Sequence, residues 1–325
     1  NEINLADVSS YSSSEEVENI SDFDPAKELA VTNSRVDGIE ARLNNFEAGS
    51  FSDTTAASFD VDFIVGAVDG STTSQATTAT YSYQIGLSTS FTGEDSLDVA
   101  IDAGNGITNL NEGDLNSTSS DTLQVDGITY TFPIGENLTV LVGDSTSGSA
   151  LYSTACVYGG PSNTLDDCGA VNSPITGGGT ALGASFDIGG GFTAALGYAG
   201  AGSTTAGLLT TEGDDAYGGQ LTYTGDAYGA SVTYGLTESA GVNTTSWALN
   251  GYWIPSETGS LPSLSVGYET DDSEDDSVLE KTSYFIGLQW DEVGPGTFGV
   301  AAGTSTPTPT NSEELLMYEA FYSYP

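Results

Sequence analysis

The sequence predicts an all-β protein, a transmembrane antiparallel β-barrel with a short coiled-coil helix on its N-terminal side. Three observations predict it. Large apolar residues alternate with small polar ones at period two in segment after segment, as in strands with one face in lipid and the other in a polar interior. The connections between these segments are alternately long and short. The composition is poor in helix formers and rich in Gly, 42 of 325 residues, about twice the usual share.

Charge excludes several functions. The chain has 46 Asp and Glu against 4 Lys and Arg, no His, and a formal net charge of −42. Nothing in it could neutralise a phosphate backbone, so nucleic acid is not an expected partner. Without imidazole the usual Ser-His chemistry is absent, and no enzyme activity is expected. So high a charge would suit a disordered chain, but 17 Tyr, 12 Phe and 3 Trp would not. No run of about 18 apolar residues offers a transmembrane helix. Asn1-Glu2, with no initiator Met, reads as a mature end left by signal-peptide removal.

Residues 1–24 are acidic and Ser-rich and read as disordered. Residues 25–48 read as a helix opened by Pro25 and ended by Gly49. Leu29, Val36 and Leu43 fall on heptad position a, and Thr32, Ile39 and Phe46 on d. Arg35 and Arg42 then occupy g, and Glu40 and Glu47 occupy e, the ion-pair positions of a parallel coiled coil. A homotrimer is the expected assembly, and a helix packed on its own domain is the alternative.

The strands follow from residue 51 onward. Phe59, Val61, Phe63 and Val65 share one face of segment 57–68, while Asp60 and Asp62 point the other way. Leu97, Val99 and Ile101 oppose Asp98 and Asp102, and Leu264, Val266 and Tyr268 oppose Ser265, Gly267 and Glu269. Fourteen strands are expected: 57–68, 78–91, 96–104, 121–132, 138–144, 180–188, 192–199, 217–224, 228–236, 245–254, 262–270, 281–290, 296–304 and 315–324. The long connections are 69–77, 105–120, 145–179, 200–216, 237–244, 271–280 and 305–314, with tight turns between. Aromatics gather towards strand ends, as in the interfacial girdles of outer-membrane barrels.

The polar faces are Gly, Ser, Thr, Asp and Gln, which suits a lumen. Asp60, Asp62, Asp98, Asp102, Asp187 and Glu269 have lumen parity, and Asp166 and Asp167 lie on loop 145–179. Cys156 and Cys168 in that loop are an even, local pair that predicts a disulfide and an oxidising compartment. Residues 51–325 hold 35 acids and one base, Lys281, so cations are the favoured solutes. Asp271, Asp272, Glu274, Asp275 and Asp276 could hold Ca²⁺ or Mg²⁺, although they match no EF-hand spacing. No cofactor is expected.

Lys27-Glu28-Leu29-Ala30-Val31, Ser34 to Leu43, Phe51-Ser52, Phe63-Ile64-Val65-Gly66-Ala67 and Thr89 to Leu97 resemble cyanobacterial outer-membrane porins. That family is related to the carbohydrate-selective OprB-like porins. The resemblance runs from about residue 26 to the end of the sequence. It implies trimeric outer-membrane barrels, usually of 16 strands, that pass ions and small hydrophilic solutes. It also implies a third external loop folded into the barrel, here 145–179, and a periplasmic helix. The family's S-layer-homology domain has no counterpart before residue 26, so peptidoglycan anchoring through it is not expected. A chain stopping at Pro325 after fourteen strands suggests one further hairpin, with a closed fourteen-stranded barrel as the alternative. The competing function is a soluble or fibrous acidic all-β surface protein that binds Ca²⁺, adhesin-like.

Overall fold

A computed structural model describes residues 55–68, 76–105, 121–175, 179–201, 207–210, 213–239, 241–256, 260–304, 307–309, 313 and 315–325. They form one antiparallel sheet of fifteen strands: β1 (Thr55–Gly66), β2 (Thr78–Thr89), β3 (Ser96–Gly104), β4 (Gln124–Ile134), β5 (Leu138–Asp144), β6 (Thr180–Gly189), β7 (Phe192–Gly200), β8 (Asp215–Thr224), β9 (Tyr228–Ser239), β10 (Val242–Trp253), β11 (Ser263–Ser273), β12 (Lys281–Val293), β13 (Gly296–Thr304), β14 (Thr308–Pro309) and β15 (Leu316–Ser323). Each long strand pairs with its neighbours in sequence, an up-and-down order from β1 to β13 and then β15. The residues expected to form a coiled coil, Leu29, Arg35, Val36, Ile39, Glu40, Arg42, Leu43, Phe46 and Glu47, lie outside the described residues.

The alternation of apolar and polar residues locates the strands well, since 96–104, 138–144 and 296–304 keep their expected bounds. Three expectations are corrected. The connection 237–244 is not a long loop: β9 and β10 continue to Ser239 and Val242, which pair across a two-residue turn. Thr237 and Thr244 extend the period-two pattern there, and Gly241 takes the positive φ of 78° that a tight turn demands. A fifteenth strand, β14, arises inside segment 305–314, where Thr308 and Pro309 pair with Thr282 and Lys281 of β12. No ladder joins β1 to β15, so among the described residues the sheet is open. The two edge strands run in opposite directions and expose residues on both faces.

Directly opposed residues in a ladder share a face, so the register sorts the whole sheet into two. One face carries Phe63, Leu196, Leu249 and Tyr318, which are 76, 67, 59 and 73% exposed. The other carries Thr222, Thr233, Ser246, Ser265 and Glu269, all buried. A water-soluble protein hides its apolar residues and rarely leaves so extended an apolar surface bare. Here the pattern is inverted. On the apolar face Phe192 meets Tyr223 at 4.9 Å and Tyr223 meets Tyr228 at 5.6 Å near the short-turn end. Tyr198 and Tyr217 meet at 5.4 Å towards the other end. Two aromatic bands therefore flank an aliphatic one.

The turn between β2 and β3 explains part of the Thr89 to Leu97 motif. Asp95 Oδ1 accepts hydrogen bonds from Ser90 Oγ (2.8 Å), Phe91 N (2.9 Å), Thr92 N (2.7 Å) and Thr92 Oγ1 (2.8 Å). Its Oδ2 accepts one from the Tyr130 hydroxyl at 2.7 Å, tying the turn to β4. The Tyr130 hydroxyl, with the Thr92 and Ser90 donors, holds the Asp95 carboxyl well below the usual carboxylate range against the opposing effect of burial. Gly93 sits at φ 89° in the same turn, a conformation that favours glycine.

Candidate functional site

The connection from β5 to β6 does not leave the sheet. Residues 145–175 lie across its polar face, and two sets of bonds fix them there. In the outgoing limb every second backbone N–H finds a side-chain acceptor. Ser153 N donates to Gln220 Oε1 of β8 at 2.6 Å, Ala155 N to Ser231 Oγ of β9 at 3.0 Å, Val157 N to Ser265 Oγ of β11 at 3.0 Å, and Gly159 N to Gln289 Oε1 of β12 at 3.0 Å. This is the period of extended chain. Six residues of extended chain cover about 20 Å, and the four inter-strand steps from β8 to β12 cover about 19 Å. The limb thus crosses the strands as a strut, in register with the wall.

The returning limb is held by carboxylates and carbonyls. Glu269, with no exposed surface, accepts Asn172 N at 2.8 Å and Ser173 N at 2.9 Å. Asp271 Oδ2 accepts Asn172 Nδ2 at 2.7 Å. Asn250 Nδ2 donates to the Cys168 carbonyl at 2.8 Å, and Ser283 Oγ to the Gly169 carbonyl at 3.0 Å.

Apolar packing closes the far end. Tyr158, Leu165 and Cys168 of the loop bury against Phe285 and Ala301, with Cys156, Met317 and Phe321 alongside. The Tyr158 ring lies 5.3 Å from Phe285 and 5.7 Å from Phe321, and its hydroxyl donates to Glu319 Oε1 at 2.5 Å. Burial and that carboxylate together push the Tyr158 hydroxyl far above its ordinary pKa. A disulfide joins Cys156 to Cys168, with Cα atoms 6.4 Å apart, and so ties the two limbs together.

The wall is shaped for this loop. Gly183, Gly197, Gly218 and Gly235 oppose one another across β6 to β9. A Cβ on Gly235 would stand 2.7 Å from the Ser173 carbonyl oxygen, and one on Gly218 would stand 2.7 Å from the Tyr152 hydroxyl. A Cβ on Gly267 would strike the Cys168 carbonyl. At Gly235 and Gly267 glycine is required because loop backbone and wall backbone touch, and at Gly218 the Tyr152 side chain takes the space that a Cβ would need.

The register sets Asp60, Asp62, Asp98, Asp102, Asp187 and Glu269 on the loop-bearing face: Asp60 opposes Gln84, which opposes Asp102, and Asp98 opposes Thr129. Asp60, Asp62, Asp98 and Asp187 are exposed, Asp102 and Glu269 buried. Asp187 also caps its own turn through Gly189 N at 2.8 Å. Asp166 and Asp167 are exposed on the loop. Asp271 and Glu319 belong to the same face, a placement that the sequence pattern does not give. The five acids read as a cation-holding tip separate. Asp271 and Asp272 lie in β11, Asp271 inward and buried. Glu274 accepts from Asn243 Nδ2 at 3.1 Å, Asp275 caps Ser277, and Asp276 is exposed. Among the described residues no group of three or more acids and cysteines is placed to hold a metal ion.

Comparison with known proteins places this geometry. No family profile matches the chain. An uncharacterised protein of Nostoc sp. is 32% identical over 126 residues, 33% of this chain and 22% of its own length, so the chain spans about a fifth of that relative. Among solved structures, OprB of Pseudomonas putida superposes with a TM-score of 0.51 at 14% identity, over 81% of this chain and 77% of its own. OmpF of Salmonella typhi, solved with daunomycin, gives 0.54 at 10% over 85 and 88%. An anion-selective porin of Comamonas acidovorans gives 0.50 at 15% over 77 and 78%. The fold is that of the outer-membrane porins.

Proposed function

We propose that this chain is a passive diffusion channel of a bacterial outer membrane that favours cations and passes small hydrophilic solutes. The observation that carries the reading is the strut: a long loop pinned across the polar face of a sheet whose opposite face is apolar. Curved into a barrel, with antiparallel closure at the β1 and β15 edges, such a sheet encloses a lumen that the loop between β5 and β6 narrows. The acids at lumen parity, with Asp166 and Asp167 on the constriction, make that lumen negative. Lys281 is the one base among residues 51–325, so an anion crossing the pore would meet a single positive charge.

The chain would assemble as a homotrimer in contact with outer-membrane lipid, its 25–48 helices forming a parallel coiled coil in the periplasm. A soluble Ca²⁺-binding surface protein is not favoured, because it would leave Phe63, Leu196 and Tyr318 bare in water. The test is the reversal potential of the reconstituted protein across a tenfold KCl gradient. A cation-selective potential is expected, and it weakens at about 1 M salt, where the Debye length is near 3 Å. A zero or anion-selective potential refutes the reading.

A further inference from the structure

Between the returning limb of the loop and the ends of β9 to β12 lies a cavity of about 330 Å³, at the lower end of the roughly 300–1,000 Å³ typical of small-molecule sites. We propose that it is a binding subsite for zwitterionic amino acids with aliphatic side chains. The proposal rests on the channel reading for its physiological meaning and deepens it by naming a solute class.

Asp271 lines the cavity and is 4% exposed. Its Oδ2 is occupied by Asn172, but its Oδ1 is buried with no hydrogen-bond partner. A buried carboxylate oxygen without a donor is costly, and a charged donor offsets that cost best. Lys281 stands directly opposite Asp271 in the β11–β12 ladder and lines the same cavity. It is the only Lys or Arg among residues 51–325, so the single positive charge of the sheet region has been placed beside a buried aspartate.

Around this pair the wall offers the hydroxyls of Thr237, Thr244 and Ser246, and on one side the apolar surface of Val278 and Leu279. An α-ammonium group on Asp271 Oδ1 and an α-carboxylate on Lys281 and the hydroxyls satisfy both charges at once. The aliphatic side chain then lies on Val278 and Leu279. A simple cation would be repelled by Lys281, a simple anion by Asp271, and a neutral solute would leave both charges unanswered. The competing arrangement is a direct ion pair between Lys281 and Asp271 that fills the cavity from within.

The test is isothermal titration of the detergent-solubilised full chain with L-leucine, with leucinamide (no carboxylate), with 4-methylpentanoate (no ammonium) and with glucose. Saturable binding of leucine is expected, at least about tenfold tighter than either truncated ligand, because each lost charge-assisted contact is worth about 1.5–3 kcal/mol. Asp271→Asn and Lys281→Met should each weaken leucine about tenfold, while Lys281→Arg should retain most of the affinity. If the variants fail to fold, the ligand series on the wild-type chain decides alone. Leucine binding no better than leucinamide, or no binding, overturns the proposal. Channels in a bilayer without leucine binding refute the subsite and leave the channel standing. Leucine binding without conductance does the reverse.

Discussion

Glu269→Ala tests the strut most directly. Glu269 holds two backbone donors of the returning limb, Asn172 N at 2.8 Å and Ser173 N at 2.9 Å. Removing the carboxylate strands them. Ser173 is fully buried, while Asn172 is exposed and can turn to water. A buried donor left unsatisfied costs about 1–3 kcal/mol, and the two together come to about 3 kcal/mol once the exposed one is discounted. At 1.4 kcal/mol per factor of ten, local opening of residues 170–175 should rise about a hundredfold. Hydrogen–deuterium exchange of that segment should accelerate accordingly. Exchange of residues 153–159 should not, since Gln220, Ser231, Ser265 and Gln289 still hold them. Glu269→Gln should fall between, because its amide keeps one acceptor and turns an N–H donor towards another donor. Unchanged protection of 170–175 in Glu269→Ala would show that the limb is held elsewhere and refute the reasoning.

Gly235→Val directs its side chain at the Ser173 carbonyl oxygen, which lies only 2.7 Å from where a Cβ would stand; the loop should be expelled and single-channel conductance should rise, whereas an unchanged conductance would show that the loop does not narrow the pore. Replacing Cys156 and Cys168 by Ser should lower the stability of the chain by about 2–4 kcal/mol through the larger entropy of its unfolded loop, read as a lower midpoint in denaturant. The depressed Asp95 carboxyl stabilises the β2–β3 turn fully above its unfolded value of about 3.9, and loses that contribution as pH falls further towards the folded value. Asp95→Asn should therefore unfold faster than the wild type at pH 6, and the difference should shrink in strong acid; a gap independent of pH would mean that ionisation of Asp95 plays no part.

Strand positions and faces are legible in the sequence because they depend on period-two alternation, which local residues carry by themselves. Phe59, Val61 and Phe63 against Asp60 and Asp62 suffice to say which side of β1 is apolar and which is polar. The Cys156–Cys168 pair is equally legible, since nearness along the chain and an even count make pairing the simplest outcome. Tight connections are less so. The β9–β10 turn reads as a loop because Thr and Ser are as common in loops as on polar strand faces, and only pairing between Ser239 and Val242 separates the two.

The site lies beyond local pattern. Gln220, Ser231, Ser265 and Gln289 are ordinary polar-face residues in the sequence, and nothing in it says that a distant segment will lay alternate amides on them. The signal for Phe285 is present, since its parity opposes that of the outward Tyr284, but its meaning requires Tyr158 and Leu165 to arrive from more than a hundred residues away. Asp271 reads as part of an exposed acidic tip because β11 outlasts its apolar pattern; pairing with β10 and β12 carries it inward. The sequence alone thus determined the alternation, the two faces and the sign of the charge, all properties of near neighbours along the chain. The tertiary structure decided which polar residues hold the loop, where the glycines make room for it and which acids are buried, because those depend on contacts between strands that the chain brings together only when the sheet forms.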